Sequence, residues 1–248
     1  MTDSHAHLDA CDDAASVLVE RARGDGITRI VTIGTDIDSC RAALEIAEAQ
    51  DGVHAALGIH PHQAGGADAG RMDELRELLA HPKAVAVGET GLDTVRQHAT
   101  LDEQRRLLEE HLELAAELSL PVVIHNREAD DHMATALASF SGPVVLHCFS
   151  SPDLLPEAVE RRYFVSFAGN VTYPNAVALR DAATAVARDR ILVETDSPYL
   201  TPQPRRGTPN EPANVVHTIR ALARARGESV EELAAATHAN AAAVFSLP

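Results

Sequence analysis

Short, continuous apolar runs recur along the chain and alternate with longer stretches rich in Ala, Leu, Glu and Arg. A run without alternating polar positions is typical of a strand that is buried on both faces, as the strands of a parallel sheet are. Seven such runs, together with a very short first strand at residues 2–7, predict eight buried strands. They cover residues 2–7, 29–34, 53–60, 84–90, 121–125, 143–147, 163–167 and 191–194.

The stretches between these runs carry signals for helices. Thr100 with Glu103, and Ser229 with Glu232, have the spacing of capping boxes. Residues 107–118 place their apolar side chains on one stripe of a helix. Strand and helix thus alternate eight times, which predicts an α/β protein with the (β/α)8 TIM barrel fold. A doubly wound sheet is the alternative, but no Gly-rich phosphate-binding fingerprint follows an early strand.

The length of the chain fits one such barrel. It has 248 residues, within the usual range for a (β/α)8 barrel. No linker or low-complexity stretch divides it, so we expect a single domain over residues 1–248. Aromatic residues supply only 3% of the chain and Trp is absent, so the predicted core consists of Val, Ile, Leu and Ala.

The location of the protein is predicted from apolar run lengths and cysteines. No apolar run approaches the length of a membrane span, and no charged-then-apolar leader opens the chain. Cys11, Cys40 and Cys148 are scattered and form no CxxC pair, which favours a reducing compartment over a disulfide framework. We therefore expect a cytoplasmic protein without membrane contact. Its oligomeric partner is not indicated, and a monomer is the expected state.

The charge balance limits the possible substrates. The net charge is −16, and non-specific binding to DNA depends on Lys and Arg that neutralise phosphates. A polyanionic substrate would therefore be held by metal ions and a local arginine cluster, against a repulsive background. The single lysine, Lys83, stands at the start of the predicted fourth strand, so a mechanism based on lysine at a strand end is disfavoured.

Histidine and acidic residues collect at the carboxyl ends of the predicted strands. His5 and His7 close the first strand, and because alternate residues of a strand point the same way, both imidazoles can reach one ion. Further residues of this type follow at the third, fourth, fifth, sixth and eighth strands. They are His60, His62, Glu89, His125, His147, Glu194 and Asp196.

The shared position of these residues is more informative than any one of them. The carboxyl end of the strands is where (β/α)8 barrels build active sites. Taken alone, His125 has an alternative role as a hydrogen-bonded core residue, and Asp196 as a helix N-cap. Because six of eight strands end this way, the sequence predicts a dinuclear metal site at this rim, with Glu89 in the bridging position.

Seven motifs give the chain a resemblance to a known family. They are DSHAHLD (3–9), GIHPH (58–62), VAVGETGLD (85–93), LPVVIHNREA (120–129), VVLHCFS (144–150), LVETDSPYL (192–200) and RGTPNEP (206–212). The chain resembles the TatD-related metal-dependent deoxyribonucleases of the amidohydrolase-like barrel superfamily. These motifs, with the closing segment THANAAAVF (237–245), cover the chain from end to end.

The resemblance implies a metal site and an activity. His5, His7 and Asp196 would hold one ion, His125 and His147 the other, and Glu89 would bridge them. The activity implied is hydrolysis of DNA phosphodiesters, dependent on magnesium or manganese. Relatives of this kind are also credited with cleaving RNA or with deacylating tRNA that carries D-amino acids.

One departure from the family pattern concerns substrate binding. After the GLD motif the family commonly has an aromatic pair and then a basic residue, whereas this chain has Thr94, Val95 and Arg96. If the aromatic rings stack on bases or sugars, this chain binds its substrate in another way.

Roles for individual residues follow from the predicted site. Asp196 is the candidate general base for a metal-activated water. Arg127, Arg205 and Arg206 can offer planar guanidinium groups to phosphate oxygens.

Three further residues are assigned to the substrate side of the site. His60 and His62 would bind the scissile phosphate or protonate the leaving oxygen. Glu194 is a residue of the site that is either an outer partner of a ligand or a weak ligand itself.

The identity of the metal stays open at this point. Two divalent ions, Mg, Mn or Zn, are expected per chain. A site with several imidazoles suits zinc or manganese better than magnesium, which prefers oxygen ligands.

Three functions compete. The first is a two-metal deoxyribonuclease with DNA as its substrate. The second is a metal-dependent hydrolase of esters or amides such as aminoacyl esters, which the charge of −16 favours. The third is a metal-loaded binding protein without catalysis. The presence of a suitable residue at every expected ligand position argues against it.

Overall fold

Eight parallel strands form one sheet whose neighbours follow the order of the chain, from β1 to β8. The computed structural model describes residues 1–96 and 98–248. The strands are β1 (Thr2–Ala6), β2 (Arg29–Gly34), β3 (Val53–Leu57), β4 (Ala84–Asp93), β5 (Val122–Arg127), β6 (Val144–Leu146), β7 (Phe164–Phe167) and β8 (Ile191–Val193).

Helices connect successive strands, and two more follow the last one. They are α1 (Ala15–Gly24), α2 (Ile37–Ala49), α3 (Met72–Leu79), α4 (Leu101–Leu118), α5 (Asp130–Leu137), α6 (Leu155–Glu160), α7 (Val177–Ala185), α8 (Val215–Arg226) and α9 (Val230–Phe245). Eight parallel strands that alternate with helices confirm the predicted (β/α)8 barrel. Among the described residues, no helix is long and apolar enough to cross a bilayer.

The largest departures from the predicted strand bounds are at the ends of β3 and β4. β3 ends at Leu57 rather than at His60, and β4 continues to Asp93 rather than ending at Thr90. At Gly58 the backbone comes so close to β4 that a Cβ there would lie 2.7 Å from the Cα of Gly88. β4 is longer because it stays paired with β5 to its last residue. Backbone pairing of this kind is not visible in a hydrophobic pattern.

The two predicted capping boxes differ in the structure. Thr100 Oγ1 accepts the Glu103 backbone N–H, and the Glu103 carboxylate accepts the Thr100 N–H, so the first box is complete and starts α4. At α9, Ser229 accepts the Glu232 N–H. The Glu232 carboxylate lies instead 4.0 Å from Arg188, so the structure gives this helix a serine cap without the return bond.

Alternate residues of the strands belong to two different apolar clusters. Ile30 packs with the surrounding helices, whereas Val31 and Ile33 belong to a second cluster inside the barrel. Phe245, in the last turn of α9, packs into this second cluster. Since His238 of α9 bonds to Thr2 at the start of β1, α9 covers the amino-terminal end of the barrel. The opposite end is left open to carry a site.

The seam between β8 and β1 is closed by bonds between residues along β1 and the segment that directly follows β8. Asp3 accepts hydrogen bonds from the backbone N–H and the hydroxyl of Thr195, at 2.9 and 2.6 Å. The backbone N–H of Asp196 donates to the carbonyl of His5 at 2.9 Å. An isolated bridge pairs Ala6 with Ser197. Two segments that are far apart in the sequence are thereby fixed against each other.

Replacing Gly91 by Ala should destabilise the protein by at least about 2 kcal/mol. Gly91 has φ +148°, and a Cβ there would lie 1.9 Å from the carbonyl oxygen of His125, which belongs to the backbone of β5. Urea unfolding followed by circular dichroism measures the change. Gly24→Ala is the matched control, because a Cβ at Gly24 meets no atom within 4 Å and Ala favours a helix. Equal stability of the two variants would contradict the packing at Gly91.

Candidate metal centre

The residues predicted as ligands come together at the carboxyl end of the barrel. His5 lies in β1, Glu89 in β4 and His125 in β5. His147 directly follows β6, and His7 and Asp196 follow β1 and β8. All of them are at least half buried, and His5 is fully buried. The parallel arrangement of the strands is what collects side chains so distant in sequence at one place.

A first set of donor atoms surrounds one point between β1, β4 and β8. His5 Nε2 lies 3.3 Å from His7 Nε2 and 3.4 Å from Glu89 Oε2. His7 Nε2 lies 3.4 Å from Asp196 Oδ1. Ligand atoms about 2.0–2.2 Å from a tetrahedral cation are about 3.3–3.6 Å from one another. The spacing of these four atoms is that of a coordination sphere.

A second set surrounds the other oxygen of Glu89. Glu89 Oε1 lies 2.9 Å from His125 Nδ1 and 2.9 Å from His147 Nε2. The two imidazole nitrogens are 3.4 Å apart. His60 Nε2 adds a donor 3.3 Å from the same oxygen. The carboxylate of Glu89 therefore faces one donor set with each of its oxygens.

The pKa values of Glu89 and of His147, which contact each other, are shifted in opposite directions. Burial by itself raises the pKa of Glu89, but the charges of His147 and His60 and hydrogen bonds from His125 and His147 hold it well below its ordinary value. The pKa of His147 moves the other way, because burial is outweighed by the carboxylates of Glu89 and Glu194, which raise it well above its ordinary value. Glu89 is therefore an anion at neutral pH and attracts positive charge to this position.

Three of the donors, His5, His60 and Asp196, are in the protonation states that a metal ion needs, whereas at His7, His125 and His147 burial is outweighed by neighbouring carboxylates, which raise the pKa. Burial and the charge of His147 lower the pKa of His5, and burial lowers the pKa of His60 to about 4, so both rings are neutral at pH 7. Burial alone raises the pKa of Asp196, but hydrogen bonding to His7 and the charge of His5 hold it below its ordinary value. Neutral imidazoles and ionised carboxylates are the ligand forms of divalent cations. The residues present thus fit a metal centre.

Two buried carboxylates stand behind the histidines. Glu194 Oε1 accepts the Cys148 backbone N–H at 2.7 Å and lies 3.4 Å from His147 Nδ1. Asp93 Oδ2 lies 3.4 Å from His125 Nε2 and 2.9 Å from His62 Nε2. A carboxylate on the far nitrogen of a ligating imidazole fixes the orientation of the ring and its tautomer.

An open cavity of about 740 Å³ lies above these donor atoms. Its wall includes the guanidinium-bearing residues Arg96 and Arg127, and Tyr199 stands at its edge. His62, whose side chain is 22% exposed, also faces it. The donor sets form the floor of this cavity, so a molecule in it would lie directly against them.

The profile of the family described as "TatD related DNase" matches residues 2–246. This chain belongs to the TatD-related DNase family. The prediction of the family from its motifs is therefore confirmed, and the protein is a member of a family of metal-dependent hydrolases.

Known relatives align with the chain over nearly all of its length. It is 39% identical over 259 residues to the "uncharacterized metal-dependent hydrolase TatD" of Mycobacterium tuberculosis, covering 100% of this chain and 98% of the relative. It is 32% identical to the "3'-5' ssDNA/RNA exonuclease TatD" of Shigella flexneri, covering 93% and 92%. The crystal structure of the TatD homologue YJJV of Escherichia coli K12 superposes with a TM-score of 0.94 at 30% identity, covering 100% and 98%.

The structure places several predicted substrate residues away from the cavity. Glu194, although within the family motif LVETD, is fully buried behind His147 and does not face the cavity. Arg205 and Arg206 are exposed, and neither is among the described residues that line the cavity. Arg206 lies over the ring of Tyr173, with its guanidinium carbon 4.5 Å from the ring centroid. Arg127 does line the cavity, as predicted.

Sequence reasoning missed two residues that position the TatD family motifs. Asp93 fixes its own loop, because its Oδ1 accepts the backbone N–H groups of Val95 and Arg96, both at 2.8 Å. His111 of α4 accepts the backbone N–H of Ile59 at 3.0 Å and so holds the segment that leads to His60. The acid in the GLD motif was a signal for Asp93, whereas His111 reads as an ordinary helix residue.

His111 should make the protein less stable in mild acid. It is fully buried, which lowers its pKa to about 4 from an ordinary value near 6.5. The folded state therefore resists protonation, and the stability is fully present above pH 6.5 and lost as the pH falls toward 4. Between pH 7 and 5 the loss from this residue is about 2 kcal/mol.

Urea unfolding at pH 7 and pH 5 measures this loss in wild type and in His111→Gln. The variant should show a pH dependence shallower by about 2 kcal/mol, whereas exposed His132→Gln should not. An NMR titration of the wild-type His111 ring provides a second measurement. A midpoint near 6.5 would contradict the buried, neutral state.

Proposed function

We propose that the chain is a two-metal nuclease that hydrolyses phosphodiester bonds of single-stranded DNA with a metal-activated water. The observation that carries the proposal is the division of donor atoms around Glu89, with one set on each of its oxygens beneath an open cavity. We further propose that residues 1–248 form a single catalytic domain, which acts as a cytoplasmic monomer.

The proposed ligands follow the two donor sets. His5, His7 and Asp196 would hold one ion, His125 and His147 the other, and Glu89 both. Two such ions supply an activated water and neutralise the charge that develops on the phosphate. Zinc or manganese suits the four imidazoles best, although magnesium can support turnover at a site with two carboxylates.

Asp196 is proposed as the proton acceptor. Its carboxylate is ionised at neutral pH for the reasons given above, and the residue lines the cavity. The seam of the barrel fixes its backbone through the bond to His5. A rigid carboxylate at the cavity floor can take the proton of an attacking water without moving.

Binding of the phosphate is proposed for Arg96 and Arg127. Both line the cavity, and a guanidinium group donates two parallel hydrogen bonds to phosphate oxygens. Arg96 thereby replaces Arg205 and Arg206, which lie elsewhere. His62 faces the same cavity with Asp93 behind it and is proposed as a further phosphate contact.

For His60 the surroundings favour a place beside the ions. Its Nε2 lies 3.3 Å from Glu89 and its Nδ1 accepts the His62 backbone N–H, so both ring nitrogens are engaged. These contacts therefore favour a place for His60 beside an ion or its water over a role as proton donor to the leaving oxygen.

Relatives named as 3'-5' ssDNA/RNA exonucleases support nucleic acid as the substrate and this direction of cleavage. The main alternative is a hydrolase of esters or amides such as aminoacyl esters, which the net charge of −16 favours. Two arginines at the cavity wall favour a phosphodiester.

Wild-type protein should bind two divalent ions per chain. His7→Ala and His147→Ala should each reduce this to one, because each removes a ligand from a different donor set. Elemental analysis after dialysis against zinc or manganese measures the ratio, and exposed His132→Ala is the control. One ion in the wild type, or an unchanged ratio in both variants, would refute the dinuclear site.

End-labelled single-stranded DNA should be degraded from its 3' end in magnesium or manganese and left intact in chelator. Asp196→Asn should lower kcat about 100-fold or more, because it removes both the proton acceptor and a charged ligand of one ion while keeping the shape of the side chain. His132→Ala should match the wild type. Metal-loaded protein that cleaves aminoacyl esters but not DNA or RNA would instead establish the alternative.

A further inference from the structure

Tyr199 is an exposed aromatic residue at the edge of the catalytic cavity. Its side chain lines the cavity, yet 56% of the residue is exposed. Its ring centroid lies 5.7 Å from that of His7, with the two rings at 73°. Among the described residues that line the cavity, it is the one aromatic ring besides the imidazoles.

The backbone of Tyr199 is held rigidly although its ring is exposed. Its N–H donates to the carbonyl of Asp196 at 2.8 Å, and its carbonyl accepts the side-chain amide of Asn210 at 2.5 Å. The same amide donates to the carbonyl of Thr195 at 2.9 Å. Asn210 is itself buried and is bonded to Asn214. A motif that the metal centre leaves unexplained, RGTPNEP, thus anchors the loop that presents this ring.

The wall formed by the β4 exit loop offers no competing ring at the positions where the family commonly has aromatics. Thr94 donates its hydroxyl to the carbonyl of Glu128 at 2.7 Å, so it ties two loops together. Val95 is 42% exposed and presents only an aliphatic surface. Among the described residues that line the cavity, stacking on a phenyl-type ring therefore falls to Tyr199.

We propose that Tyr199 is the platform on which this chain stacks one nucleobase next to the bond that is cut. The inference rests on the proposed nuclease function and specifies its substrate as a nucleic acid strand with an unpaired base at the reacting end. An aromatic face accepts any base, so the preference is for a base and not for a sequence.

The charge of the protein makes such a contact valuable. A net charge of −16 repels the phosphates of a long strand, and Arg96 and Arg127 can neutralise only a few of them. Stacking does not depend on that charge. A strand end held by one stacked base and one or two phosphates also suits an enzyme that acts on ends.

The inference is tested with single-stranded oligonucleotides that carry a natural or an abasic nucleotide at the last or next-to-last position. A matching set carries the same modifications at the 5' end. Tyr199→Ala should raise KM for the natural strand about 5- to 150-fold, with a smaller change in kcat. It should also lose the preference for the natural strand over the abasic one. Tyr199→Phe should behave as the wild type, because it keeps the ring.

A binding measurement provides a second readout. The chain lacks Trp, so Tyr199→Trp introduces a single tryptophan at this position. Phosphorothioate oligonucleotides, which resist cleavage, should quench its fluorescence when they carry a base at the reacting end, but not when that nucleotide is abasic.

Equal quenching by both strands, or a Tyr199→Ala variant that keeps the wild-type preference for a base, would overturn the inference. A loss in Tyr199→Phe as large as in Tyr199→Ala would assign the effect to the hydroxyl and would also overturn it. If the wild-type protein cleaves no nucleic acid, the proposed function itself is refuted. If the wild-type protein cleaves strands with and without the terminal base equally well, only the role of Tyr199 is refuted.

Discussion

The burial of one carboxylate, that of Glu89, determines the arrangement of the whole site. An ionised carboxylate that is almost entirely removed from water is strongly unfavourable unless positive charge or hydrogen-bond donors surround it. Four of the eight strands, or the loops that follow them, send histidines toward it: His5, His7, His60, His125 and His147. Asp196 adds a second negative charge within the same space. Such a collection of donors is electrostatically consistent when cations share it.

The order of strands and helices, and with it the barrel, could be predicted from the sequence. Continuous apolar runs marked seven of the eight strands, because strands enclosed by helices and by the barrel interior bury both faces. The ends of β3 and β4 could not be predicted, because they depend on the close approach of Gly58 to Gly88 and on pairing with β5. These are contacts between backbones, and a sequence pattern does not record them.

The residues of the site could be predicted wherever the direction of a strand is enough to place its last side chains. His5, His125, His147 and Asp196 were located because parallel strands deliver their last residues to one rim. Glu194 was harder, because a residue two positions before Asp196 can face the cavity or point behind it. Only the bonds to Cys148 and His147 decide between the two.

Loop residues were the least predictable part of the site. Arg205 and Arg206 were assigned to the substrate on their position after β8, but the path of that loop is set by Asn210 and by the stacking of Arg206 on Tyr173. Arg96 reaches the cavity because Asp93 bends the chain after β4. Asp93 and Asn210 lie within the quoted motifs, but a motif does not show which backbone group each side chain binds.

The seam between β1 and β8 has a consequence for how the chain folds. Asp3 and Thr195, which close it, are 192 positions apart. Closing a contact of such long range costs the most chain entropy. Favourable contacts do not offset this cost until the strands and helices between the two residues have formed. The first donor set, with His5 and His7 on one side of the seam and Asp196 on the other, therefore comes into existence late, when the barrel closes. A folding intermediate with an open seam would have most of its secondary structure and no complete first donor set.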